Sequence, residues 1–209
     1  CQAVIRFFRG LDDYEGDMAR GEWRMRPSPQ RGDYPVGVMG LGKMGGRVAR
    51  ALTVFDFPVN GWSRTPSAIE GVRGFSGLER LDAFLSETRI LVNLLPLTPD
   101  TENIIDARSL ALLRPGAYVI NVGRGGHLVD QDLVAAIDSG HVAGALLDVF
   151  RTEPLPEGHA FWRHPRITLT PHTSARTLAR DSVAQIVGKV AALSRGEAVT
   201  GRVDLGRGY

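Results

Sequence analysis

Residues 36 to 45 read Val36-Gly37-Val38-Met39-Gly40-Leu41-Gly42-Lys43-Met44-Gly45. Gly40, Gly42 and Gly45 stand in the G-x-G-x-x-G spacing, after a short apolar run and before the helically periodic Arg47, Val48, Ala51, Leu52 and Phe55. A strand, a glycine turn and a helix in that order form the phosphate-binding corner of a dinucleotide fold. Gly40 permits the tight turn, Gly42 lets a pyrophosphate approach the backbone, and Gly45 lets the helix sit close to the strand. The N-terminal amides of the helix then face the phosphates. Lys43 and Met44 lie in the same turn and are candidate cofactor contacts.

Outward from this turn, strand and helix patterns alternate, which predicts an α/β fold: a Rossmann-type, doubly wound parallel sheet covered by helices on both faces. Short apolar runs place strands at 36–39, 59–62, 71–75, 90–94, 118–122, 143–149 and 167–169. Helices fit at 43–55, 78–85, 106–113 and 130–139, the last stopped by Gly140. A leading helix is expected within residues 1–25, carried by Val4, Ile5, Phe8 and Leu11. Two prolines, a glycine and polar residues make 26–34 a linker, and 26–172 is the expected nucleotide-binding domain. Residues 173–209 supply a last amphipathic helix, with Val183, Ile186, Val187, Val190 and Leu193 on one face, and a tail. The chain begins at Cys1, inside a helical pattern, so it is expected to be a fragment.

Composition bounds the function. The 209 residues are 43% hydrophobic and 23% charged, ordinary for a globular protein, and the most apolar stretch, 90–97, is interrupted by Asn93 and Pro96. The net charge is +2 and the arginines are scattered, so neither a membrane nor a nucleic acid is the expected partner. Cys1 is the sole cysteine, which excludes an internal disulfide and fits a reducing compartment such as the cytoplasm. No metal site is expected.

The second strand ends at Trp62-Ser63-Arg64-Thr65, where a dinucleotide fold meets the adenosine ribose. A carboxylate there would bind both ribose hydroxyls and repel a 2′-phosphate. Ser63 and Arg64 instead offer donors and positive charge, which favours NADPH, with NADH as the alternative.

Four further segments end strands on the same sheet edge, where open parallel sheets bind ligands. They are 94–98 with Thr101 beyond, 121–125, 148–154 and 170–174. Together they supply a guanidinium at Arg124, carboxylates at Asp148 and Glu153, and an imidazole at His172. The other histidines, His127, His141, His159 and His164, read as surface or satisfied loop residues, and Trp62 and Phe150 as packing residues.

The ordered segments GLGKMG at 40–45, GWSRTP at 61–66, LLPLTPDT at 94–101, INVGRGGHLVD at 120–130, LLDVFRTEPLP at 146–156 and PHTSA at 171–175 resemble the D-isomer-specific 2-hydroxyacid dehydrogenases, most closely their glyoxylate/hydroxypyruvate reductase branch. The resemblance covers nearly all of the chain, including the ending 202–209. It implies NADPH-dependent reduction of a small 2-keto acid, with Arg124 holding the substrate carboxylate and keto oxygen. His172 would be the proton donor and Glu153 its partner. The cofactor would contact Leu95, Pro96, Thr101, Val122, Gly123, Asp148 and Ser174 besides the glycine turn. It further implies a homodimer formed through the leading helix, and a substrate domain ahead of that helix against which the last helix packs. Two alternatives stay open: a β-hydroxyacid dehydrogenase, for which GLGKMGG and a serine-arginine turn also fit, and a non-enzymatic dinucleotide-sensing module on the same fold.

Overall fold

In the computed structural model, which describes residues 1–175 and 178–201, seven parallel strands form one sheet. The strands are β1 (Val36–Met39), β2 (Val59–Ser63), β3 (Val72–Ser76), β4 (Ile90–Asn93), β5 (Ala117–Asn121), β6 (Val142–Leu147) and β7 (Ile167–Leu169). Their order is β3-β2-β1-β4-β5-β6-β7, so the winding reverses between β1 and β4. That reversal leaves a crevice at the carboxyl ends of those two strands, the usual ligand position of an open α/β sheet.

The continuous apolar runs have a simple cause. Every residue of β1, β4 and β5 is buried, because helices cover both faces. Successive side chains alternate between the two layers. Ile90 and Val92 of β4, with Tyr118 and Ile120 of β5, pack with Val4, Phe8, Ala49 and Leu52. Leu91 and Val119 face the other way, toward Phe84, Leu110, Leu133 and Ile137. The first layer is covered by α1 (Gln2–Arg9) and α3 (Lys43–Val54), the second by α4 (Leu81–Ser86), α5 (Ala107–Leu112) and α6 (Asp130–Asp138).

The leading segment differs from one helix. It is broken at Gly10, whose φ of 61° is left-handed, into α1 and α2 (Leu11–Ala19), and the chain is not helical from Gly21 to Gln30. Phe8 turns inward against Phe57 and Tyr34, with ring centroids 5.1 and 5.2 Å away. Asp17 is buried at the end of α2 and bonded by Arg20 at 2.6 Å and by Arg26, whose guanidinium holds its carboxyl below the usual range. The expected helix at 78–85 is a 3₁₀ turn, Leu78–Arg80, followed by α4. Gly77, with a φ of 78°, precedes that turn.

Residues Cys1–Pro171 form one compact unit and His172–Tyr209 a second. The second unit contains α7 (Ala179–Ser194), with Gly196 in a left-handed conformation just beyond it. The expected family ending at 202–209 lies outside the described residues.

Candidate active site

The glycine turn joins β1 to α3 as its spacing requires. Gly40 has a φ of 92°, its N–H donates to the Trp62 carbonyl at 2.8 Å, and a Cβ on it would press on the Leu94 carbonyl. A Cβ on Gly45 would overlap the Gly40 carbonyl, so helix and turn can only meet here without side chains. Gly42 is the opposite case: it caps α3, and a Cβ on it would meet nothing within 4 Å. Open space in front of free first-turn amides, with no acid in that turn, fits the phosphates of a dinucleotide. Lys43 and Met44 are exposed at the same helix start.

At the end of β2, the Ser63 hydroxyl donates to the Thr65 carbonyl at 2.7 Å, and the Ser63 carbonyl accepts from Gly77 at 3.1 Å. Trp62 is buried and donates its indole N–H to the Gly77 carbonyl at 2.9 Å, which makes it a packing residue that ties β2 to β3. Arg64 is exposed on the bend that follows. After β4, Leu95 is buried, and Thr101 staples its own loop: its hydroxyl donates to the Pro96 carbonyl at 2.8 Å and accepts from the Thr98 N–H at 2.8 Å. The Thr101 hydroxyl is therefore committed to loop shape.

After β5 the backbone of Arg124 is gripped from both sides. Its N–H donates to Nδ1 of His127 at 3.2 Å, and its carbonyl accepts from the Asn121 side chain at 3.1 Å. Asn121 also accepts the Gly123 N–H at 3.2 Å and an N–H of Asn93 at 2.9 Å, while Asn93 accepts the Leu95 N–H at 3.2 Å. Asn93, Asn121 and His127 are all fully buried, yet the Arg124 residue they carry is exposed, with one guanidinium N–H on the Gly123 carbonyl at 2.7 Å. The Val122 N–H donates to the Asn93 carbonyl at 3.2 Å.

Of the two expected alternatives, His127 is the satisfied loop residue and not a surface one, and its bonds tie it to the site. Burial holds its pKa below the ordinary histidine value, so the ring is neutral. Asn93 and Asn121, the last residues of adjacent strands, were likewise not singled out. The available signal was two asparagines ending two apolar strands, with a histidine three residues after Arg124.

The β6 end is bound tightly to the Arg124 loop. A Cβ on Gly125 would overlap the Phe150 backbone, and Arg151 donates to the Leu128 carbonyl at 2.9 and 3.1 Å and to the Asn103 side chain. Asp148 is buried and accepts from the Thr170 hydroxyl at 2.5 Å. A Glu153 oxygen accepts the Phe150 N–H at 2.9 Å, which closes the turn that carries it. Ser63 ends β2, and Gly40 to Gly45, Arg64, Leu95, Pro96, Thr101, Val122, Gly123, Arg124, Asp148 and Glu153 all follow strands at the same edge of the first unit. His172 and Ser174 belong to the second unit; His172 has a φ of 52°, a left-handed conformation uncommon outside glycine. Among the described residues no group of three or more His, Cys, Asp or Glu is placed to hold a metal, and no helix is long and apolar enough to cross a membrane.

A parallel sheet of this order with a glycine turn at its reversal point defines a dinucleotide-binding domain of the doubly wound class. The family described as D-isomer specific 2-hydroxyacid dehydrogenase, NAD binding domain, matches residues 1–174, and the chain belongs to it. Over 206 residues it is 46% identical to glyoxylate/hydroxypyruvate reductase A of Serratia proteamaculans, a match covering 99% of this chain and 66% of that protein's length. A D-isomer specific 2-hydroxyacid dehydrogenase from Xanthobacter autotrophicus, solved with NADPH and MES, aligns with a TM-score of 0.94 and 42% identity over 99% of this chain and 85% of that one. The NADPH-dependent glyoxylate/hydroxypyruvate reductase of Sinorhizobium meliloti, solved with NADP and sulfate, aligns with a TM-score of 0.96 and 38% identity over 100% of this chain and 67% of that one. The match sets aside the β-hydroxyacid dehydrogenase alternative.

Proposed function

We infer that the protein containing this chain reduces a small 2-keto acid, glyoxylate or hydroxypyruvate, with NADPH. The observation that carries the reading is the Arg124 loop, whose backbone is fixed by two buried side chains, Asn121 and His127, both bonded by Asn93, while its guanidinium group stays at the carboxyl edge of the sheet. A planar fork of donors held in one place suits a carboxylate and its neighbouring keto oxygen.

The first-turn amides of α3 with Gly42 hold the pyrophosphate, and Ser63 with Arg64 meets the 2′-phosphate, for which no carboxylate at 61–66 competes. When bound, the nicotinamide supplies the hydride that the keto carbon accepts. His172 gives a proton to the keto oxygen, so the carbonyl becomes a hydroxyl, and Glu153 is the partner that the family resemblance assigns to it. Asp148 flanks the nicotinamide side of the site. The protein works in the cytoplasm as a homodimer joined through the leading helices, a reading supported by the family resemblance and the single cysteine.

The test follows NADPH absorbance with full-length protein and each keto acid, beside NADH. Oxidation of NADPH in preference to NADH is expected, with His172→Ala slowing turnover by about 10²–10⁴-fold at little cost in cofactor affinity. Cofactor binding without turnover on either acid would replace this reading with a dinucleotide sensor.

A further inference from the structure

We propose that His127 is a positioning residue for keto-acid binding: as a neutral imidazole it sets the backbone of Arg124, and with it the guanidinium that receives the substrate carboxylate. This rests on the assignment of Arg124 to the substrate.

The protonation pattern follows from donors that admit no alternative. The backbone N–H groups of Leu95 and Gly123 must donate, so each asparagine has its oxygen on that side. The Asn93 amide nitrogen then points at Asn121 and at Nδ1 of His127, both 2.9 Å away. Nδ1 therefore faces two donors, the Asn93 amide and the Arg124 N–H, and must carry a lone pair. The ring proton sits on Nε2, which is buried without a hydrogen-bond partner among the described residues, although the Pro96 carbonyl also acts on the ring.

The surroundings leave no cheap alternative for the ring. Gly123 is packed so that a Cβ on it would lie 3.1 Å from the Asn93 amide nitrogen and 3.3 Å from Nδ1. Rotating the imidazole would strip the Arg124 N–H of its acceptor. A second proton would set Nδ1–H against two donors, beside the Arg124 charge that already opposes it. The Arg124 loop thus has its geometry only while Nδ1 accepts.

The consequence separates substrate from cofactor. Among the described residues the glycine turn shares no hydrogen bond with His127, which bonds Arg124 directly and reaches the cofactor-side residues Leu95 and Gly123 only through Asn93 and Asn121, so loss of the acceptor weakens keto-acid binding more than cofactor binding.

Three variants of the full-length protein test this. His127→Leu keeps apolar volume and removes the acceptor; His127→Asn restores an acceptor where Nδ1 stood; His127→Gln carries its amide one bond further out. His127→Leu and His127→Gln should raise the KM for glyoxylate at least about tenfold while leaving the NADPH Kd within about twofold, and His127→Asn should recover most of the loss. Equal losses in all three variants, or parallel losses in keto-acid and NADPH affinity, would overturn the proposal. If the variants do not fold, the unmodified protein still decides: NMR of the imidazole nitrogens should show Nδ1 bare and Nε2 protonated at neutral pH, with a titration midpoint below that of an ordinary histidine. A proton on Nδ1, or a midpoint near 6.5 as in an ordinary histidine, would overturn it. Unmodified protein that turns over neither keto acid would sink the functional reading instead, and the nitrogen spectra would still judge the geometry.

Discussion

Gly125 lies against the backbone of Phe150 so closely that even a methyl group cannot stand between them. Two loops more than twenty residues apart in sequence are thereby pressed together, one carrying Arg124 and the other Asp148 and Glu153. Arg151 closes the same seam from outside through the Leu128 carbonyl. The candidate chemistry therefore depends on a backbone contact as much as on its polar side chains.

Gly125→Ala is the direct test of that contact. The added methyl has to displace one loop from the other, at a cost of about 1–3 kcal/mol of stability. Thermal unfolding should fall by several degrees, and turnover should fall further than dinucleotide affinity. Unchanged turnover would mean that the seam has no bearing on the site.

Gly42→Asp should move stability and binding in different directions. Aspartate is a favoured helix N-cap and its Cβ meets nothing in the protein, so the unfolding midpoint should hold or rise. Its charge would stand at the proposed pyrophosphate site, and dinucleotide affinity should drop by about a hundredfold or more, read by fluorescence titration. Retained affinity would remove the phosphates from this turn.

Ser63→Asp and Arg64→Ala probe the choice of cofactor. Each removes a donor or adds a repelling charge at the proposed 2′-phosphate site, and a charge-assisted hydrogen bond contributes about 1.5–3 kcal/mol. NADPH affinity should weaken by about ten- to a hundredfold while NADH affinity changes little. Equal effects on both cofactors would place the phosphate elsewhere.

His127 gives stability a pH dependence whose sign is fixed. In the unfolded chain the imidazole titrates near 6.5, and burial lowers that value in the folded state. Between the two values the unfolded chain binds more protons, so stability falls as pH drops below about 7 and levels off below the folded value. His127→Asn should flatten this part of the profile, measured as the unfolding midpoint from about pH 8 to 5. Identical slopes in both proteins would mean that His127 is not held neutral.

Most of the scaffold could be read along the chain because its signals are local. Strands buried on both faces leave continuous apolar runs, and all seven fall within a residue or two of their expected places. The glycine turn announces itself by spacing, since each missing Cβ answers to one close approach or one open space. The leading segment was harder: its apolar periodicity runs across Gly10, and whether a glycine breaks a helix depends on what the two halves can bury. Here Phe8 and its neighbours have a core to enter, and Asp17 has two arginines to meet.

The roles of His127, Asn93 and Asn121 could not be reached in that way. A histidine in a glycine-rich loop and two asparagines ending apolar strands carry no shared periodicity, and their partnership exists only because β4 and β5 lie side by side. Residue types and spacings follow the chain, so they identify the turn, the strands and the exposed guanidinium. Hydrogen bonds between buried groups follow space, and only the folded sheet makes one imidazole the acceptor that holds Arg124.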